Sequence, residues 1–285
     1  MESLVSTEWL ANEMGACDLR IVDASNHLPT AGRDARAEYR AGHIPGAVFM
    51  DLASLTDPQS EVPAALPTAT MFASRMQKLG LGDGSRIVLY DDSDVKTSGR
   101  AWYMLTLFGA HNVAILDGGL AKWKAEGRPL EAGTKQLRER HYTAWFDPAK
   151  VRSKAQMVAN LRSRVEQVVD AREAGRFTGE VPDFRPGVAS GHIPGSTNIP
   201  YYELFNADGT FKDLDGLRDT FRKAGVNLGK PIVTSCGGGV TAALLCFALH
   251  LLGKDDGVSL YDGSWSEWAV DPDTPKETGP ALQNV

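Results

Sequence analysis

Pro231-Ile-Val-Thr-Ser-Cys236-Gly-Gly-Gly-Val-Thr241-Ala-Ala-Leu-Leu245 reads as a buried strand, a cysteine, a tight glycine turn and the start of a helix. Such a cysteine faces a fan of backbone N–H groups and the positive end of a helix dipole, a setting that favours a thiolate or persulfide anion. Taken alone, the same run also fits a structural turn that follows a buried cysteine, because free cysteines are commonly buried. Short β-branched runs alternate with helical periodicity along the rest of the chain. Ile21–Asp23, Ile87–Tyr90, Val113–Leu116, Val168–Asp170, Ile232–Ser235 and Val258–Tyr261 read as strands. Thr68–Leu79, Gly99–Phe108 and Thr241–Leu252 read as helices. This alternation predicts the α/β class, with mostly parallel sheets covered by helices on both faces. Ligands on such sheets bind beyond the carboxyl ends of the strands, where Cys236 falls.

The chain also repeats itself. Ile21-Val-Asp-Ala-Ser25 matches Val168-Val-Asp-Ala-Arg172, and Gly42-His-Ile-Pro-Gly-Ala47 matches Gly191-His-Ile-Pro-Gly-Ser196. Arg86-Ile-Val-Leu-Tyr-Asp91 matches Pro231-Ile-Val-Thr-Ser-Cys236, and Leu116-Asp-Gly-Gly-Leu120 matches Tyr261-Asp-Gly-Ser-Trp265. Four matches in one order, offset by 145 to 149 residues, indicate a duplicated domain. We expect an N-terminal domain over 1–135, a linker over 136–150 and a C-terminal domain over 151–285. Asp91 stands where the second half has Cys236, so only the second half carries a nucleophile and the first is its structural partner.

Composition narrows the function. The 285 residues carry a net charge of −6, which argues against a general nucleic-acid surface. No apolar run is long enough to span a bilayer, and the start lacks the features of a secretory leader, which favours a cytoplasmic location. Cys17, Cys236 and Cys246 are too few for a disulfide framework and lack zinc-ligand spacing. No metal or organic cofactor is implied. Cys17 and Cys246 read as structural, and the six tryptophans as packed in cores or closing the cleft. Phosphatase loops of a related fold need an arginine six places after the cysteine, and that position holds Ala242.

With Tyr39-Arg-Ala-Gly-His-Ile-Pro-Gly-Ala47, the loop Cys236–Thr241 and Leu260-Tyr-Asp-Gly-Ser-Trp-Ser-Glu-Trp268, the chain resembles the tandem-domain rhodanese sulfurtransferases over nearly its whole length. The Cys-Gly-x-Gly-Val-Thr pattern is similar to the 3-mercaptopyruvate branch. The thiosulfate branch carries basic residues just after the cysteine, where this chain has Gly237 and Gly238. The resemblance implies sulfur transfer from 3-mercaptopyruvate through a Cys236 persulfide to a thiol or to cyanide, with thiosulfate as the alternative donor. A non-enzymatic sulfur-relay or binding module is the remaining alternative. Acceptors implied are a thioredoxin-like dithiol, glutathione or cyanide. Arg176 and Arg185 match the two arginines that hold the substrate carboxylate and keto group, for which a planar guanidinium is suited. The N–H groups of Gly237, Gly238, Gly239, Val240 and Thr241 would cradle the anion, and the Thr241 hydroxyl would either add a hydrogen bond or cap the helix. His43 and Asp34 match a histidine and an aspartate that join a hydroxyl in an activating triad in that branch. The third position is Gly238 here, which has no hydroxyl, and His192 is the structural counterpart of His43.

Overall fold

A computed structural model describes residues 1–281. In the first half, strands β1 (Leu4–Val5), β2 (Leu19–Asp23), β3 (Val48–Phe49), β4 (Arg86–Tyr90) and β5 (Val113–Leu116) form one sheet. Helices α1 (Thr7–Glu13), α2 (Ala35–Ala41), α3 (Ala69–Lys78), α4 (Ser98–Leu107) and α5 (Gly119–Ala125) connect them. The second half repeats the series: β6 (Val151–Arg152), β7 (Gln167–Asp170), β8 (Thr197–Asn198), β9 (Ile232–Ser235) and β10 (Val258–Tyr261), with α6 (Lys154–Ser163), α7 (Ala174–Thr178), α8 (Leu214–Lys223), α9 (Ala242–Leu251) and α10 (Ser264–Trp268). Every strand pair is parallel. The strand orders are β1-β5-β4-β2-β3 and β6-β10-β9-β7-β8, the same topology twice. The expected fold is therefore present in both halves. Strands β5 and β9, each with a neighbour on both sides, are buried along their full length, as parallel strands covered on both faces must be.

Each half has its own core. Trp123, Leu10, Val88 and Leu116 pack in the first, and Met157, Val233, Trp265 and Trp268 in the second. The duplication extends to single bonds: Trp123 Nε1 donates to Pro129 O and Trp268 Nε1 to Pro275 O, both at 2.8 Å. Cys246 is buried in α9 beside Thr234, as its apolar helix predicts. Cys17 lies at the surface instead. So does Trp145, 77% exposed, which is therefore not one of the tryptophans packed in a core.

The chain divides into two compact units. One comprises Met1–Pro58, Leu66–Asp147 and Phe205–Phe211, the other Gln59–Ala65, Pro148–Leu204 and Lys212–Val285. Residues 136–147, read as linker from their polarity, are laced to the first unit. Asp83 N donates to His141 O (2.9 Å), Trp145 N to Phe108 O (3.1 Å) and Asp147 N to Leu107 O (3.1 Å). Tyr142 is buried among them. These bonds are between backbone groups, which composition does not report.

Candidate active site

Cys236 follows the last residue of β9 and is 1% exposed. The turn after it needs glycine at Gly239, whose φ is +76°. The N–H groups of Gly237, Gly238, Val240 and Thr241 donate to no partner among the described residues, and α9 begins at the next residue. Orphan donors at a helix N-terminus suit a bound anion. The Thr241 hydroxyl makes no capping bond, so of its two expected roles the cap is excluded.

The closing turn Asp262-Gly-Ser264 buttresses the cysteine. Ser264 adopts a left-handed backbone (φ +48°), which costs a non-glycine residue about 1–2 kcal/mol. Its Oγ accepts from Cys236 N (3.2 Å) and donates to Tyr261 O (2.7 Å). Trp265 N donates to Cys236 O and Ser266 N to Gly237 O, each at 3.0 Å. At the position that matches Ser264 the first unit has Gly119, with φ +58°, following Gly118 at φ +80°. The strained serine occurs only in the half that has the cysteine.

Arg176 and Arg185 come together beside the loop. A Cβ placed on Gly237 would lie 3.5 Å from Arg176 Nη2 and 3.6 Å from Arg185 Nη2. Arg185 Nη1 donates to Gly237 O (2.9 Å). The cations that Gly237 and Gly238 do not supply thus arrive from α7 and the loop after it. Between the two arginines sits a residue that sequence reading missed. Asp183, its side chain 2% exposed, takes Arg176 Nη2 (2.6 Å), Arg185 Nε (2.8 Å) and Arg185 Nη2 (2.9 Å). Phe184 lies under both guanidiniums, 5.0 and 5.5 Å from their carbons. Arg176 Nε is buried without a partner among the described residues.

Burial alone would raise the Asp183 pKa. The side-chain and backbone hydrogen bonds from Arg185, with those from Arg176, outweigh it and hold the carboxyl well below the usual range. The unfolded chain therefore binds a proton near pH 4 that the folded chain refuses. The stability this clamp contributes is full above that range and is lost as pH falls through the folded pKa. The thermal unfolding midpoint, followed by circular dichroism, should depend less on pH below about pH 4 in Asp183→Asn than in the wild type.

His43 and Asp34 belong to the first unit. His43 is 1% exposed, stacks on Tyr39 at 4.0 Å, and donates from Nδ1 to Tyr39 O (2.7 Å). Its backbone exchanges hydrogen bonds with Glu131, whose carboxylate accepts from Gly46 N. His192 reproduces each contact with Phe177, Glu277 and Gly195. The Asp34 carboxylate instead caps α2 through Arg36 N and Ala37 N, both at 3.0 Å. Asp34 and His43 Nδ1 thus bond to backbone groups and not to each other, while His43 Nε2 is buried without a partner among the described residues.

A description of the rhodanese-like domain matches residues 6–126 and 153–271, one copy per half. The chain belongs to the rhodanese family. It is 41% identical to the human 3-mercaptopyruvate sulfurtransferase over 272 residues, 93% of this chain and 91% of the human protein. To the Escherichia coli K12 3-mercaptopyruvate sulfurtransferase it is 40% identical, over 96% of this chain and 97% of that one. The chicken thiosulfate sulfurtransferase is 38% identical over 93% of each chain. Among solved structures, E. coli SseA superposes with a TM-score of 0.85 at 39% identity, covering 94% of this chain and all of SseA. Yeast Tum1 gives 0.88 at 27% identity, covering 96% of this chain and 98% of that one. The duplicated fold thus places a cysteine after the central strand in the second half, where the first half has Asp91. No helix among the described residues is long and apolar enough to cross a membrane.

Proposed function

We propose that this rhodanese is a sulfurtransferase that takes sulfur from 3-mercaptopyruvate. The observation that carries the reading is the pair of guanidiniums, fixed by Asp183, beside the loop of a buried strand-end cysteine. The Cys236 thiolate attacks the sulfur of the donor thiol. A sulfur–sulfur bond forms, the carbon–sulfur bond breaks, and its electron pair leaves with carbon as the pyruvate enolate, which is then protonated. Arg176 and Arg185 hold the carboxylate and the keto oxygen on which the enolate charge develops. The free loop N–H groups hold the persulfide. A second thiol, of a thioredoxin-like dithiol or glutathione, or cyanide then removes the outer sulfur and returns the Cys236 thiolate. The cysteines are sparse and form no disulfide among the described residues, which supports a cytoplasmic setting. No step of this mechanism is assigned to His43 or Asp34: His43 Nδ1 and the Asp34 carboxylate bond to backbone groups, and His43 Nε2 has no partner among the described residues.

Thiosulfate is the second reading, because the same two cations would attract a dianion. Kinetics with both donors separate the readings: 3-mercaptopyruvate should give the higher kcat/KM. One charge-assisted hydrogen bond contributes about 1.5–3 kcal/mol, so Arg185→Ala should lower kcat/KM for 3-mercaptopyruvate roughly 10- to 150-fold and for thiosulfate much less. Equal losses, or a wild-type enzyme faster on thiosulfate, would move the assignment to thiosulfate.

A further inference from the structure

The duplication supplies an internal template for a site in the first unit. In the second unit Arg172 lies buried across the end of β7. It donates to Asp170 from Nη2 (2.6 Å) and Nε (3.0 Å) and to Gly191 O from Nη2 (2.8 Å), and its guanidinium carbon stands 4.7 Å from the Trp265 ring centre. In the first unit the carboxylate is retained as Asp23, 2% exposed. Its Oδ1 accepts from Ser25 N at 2.9 Å, as Asp170 Oδ1 accepts from Arg172 N at 2.9 Å. The guanidinium is gone, because Ser25 replaces Arg172, and the ring is gone, because Leu120 replaces Trp265. A cavity of about 350 Å³ stands there, lined by Asp23, Ser25, Tyr39, Gly42 and Leu120 among others.

The sign of the surroundings has changed as well. Tyr39 and Phe177 are equivalent, since each stacks on its half's histidine and accepts from that histidine's Nδ1. The residue before each is Glu38 in one half and Arg176 in the other. Asp91 likewise replaces Cys236. At the mouth Arg33 is spent on Glu38 (2.8 Å) and Asp92 (3.3 Å), and Lys124 on Asp92 (3.3 Å). No arginine, lysine or histidine forms an ion pair with Asp23 among the described residues. Burial, the largest influence on it, raises the Asp23 pKa against the lowering by its hydrogen bonds with Ser25 and the Tyr90 hydroxyl.

We propose that this cavity binds a small guanidinium compound, its guanidinium taking the place of the Arg172 head group against Asp23 and Gly42 O. The site is independent of the sulfur-transfer reading. The probe is methylguanidinium chloride at 1–20 mM, roughly the range expected of a weak single-group ligand, with equal tetramethylammonium chloride as the control cation. It should raise the unfolding midpoint of the full-length protein by about 2 °C or more over the control. Asp23→Asn should abolish the difference. Ser25→Arg, which supplies the guanidinium from the chain, should also abolish it. The absence of a wild-type difference would overturn the proposal, and so would an Asp23→Asn protein that responds as the wild type does. Should Asp23→Asn fail to fold, a folded Ser25→Arg protein that still responds would overturn it equally.

Discussion

Replacing Cys236 with serine should remove sulfur transfer from every donor, by at least about 10⁴-fold in kcat, as expected when a covalent nucleophile is lost. The hydroxyl is close in size to the thiol but carries almost no anion at neutral pH. The loop N–H groups and the two arginines would remain in place, so donor binding should survive the change. Cys17 is exposed and Cys246 is buried in a helix against Thr234, and neither faces a loop of free N–H groups. Cys17→Ser should therefore keep nearly full turnover. The decisive measurement pairs pyruvate release with mass spectrometry of the donor-treated protein. A mass gain of one sulfur should appear on the wild type and be absent from Cys236→Ser at an unchanged unfolding midpoint. Turnover by Cys236→Ser well above background would refute the mechanism.

The second large effect is expected at Asp183, a residue that does not touch the donor in this mechanism. Asp183→Ala leaves two guanidiniums converging on Gly237 with nothing between them. Repulsion and side-chain freedom should move both. If each arginine loses one charge-assisted hydrogen bond to the donor, the cost is about 3–6 kcal/mol, or roughly 10²- to 10⁴-fold in kcat/KM for 3-mercaptopyruvate. The double variant Asp183→Ala with Arg185→Ala should be far less impaired than the product of the two single losses, because both act through one clamp. Multiplicative losses would show that Asp183 acts independently of Arg185. Restoring a carboxylate one carbon longer, as Asp183→Glu, should recover part of the rate.

Much of this site was legible before any coordinates. The strand–cysteine–glycine–helix order depends on local chain stiffness and on glycine's access to positive φ, and these are written in consecutive residues. The strands Val113–Leu116, Ile232–Ser235 and Val258–Tyr261 appear with the bounds that their β-branched runs suggest. The Asp183 clamp was hidden for a different reason. Tyr39 lies just before its histidine, whereas a long loop carrying Asp183, Phe184 and Arg185 separates Phe177 from His192. The first half places its extra residues ahead of α2 instead, so the two halves keep nearly equal spacing and the comparison of offsets conceals the loop. The partner of Asp34 was likewise invisible to spacing. Asp34 precedes α2, and a capping aspartate and a catalytic one look alike in sequence. Only the partner of each oxygen tells them apart.

The clamp also bears on when order is imposed. Flexible arginines that meet a carboxylate must surrender rotational freedom at each encounter, and that loss opposes binding every time. Here Phe184 fixes the guanidinium planes from one side and Asp183 locks their edges. Their freedom is given up once, as the chain folds, and not again in each catalytic cycle. The entropy of donor association should therefore be less unfavourable in the wild type than in Asp183→Ala, a difference that calorimetry on the sulfur-incompetent Cys236→Ser background would resolve.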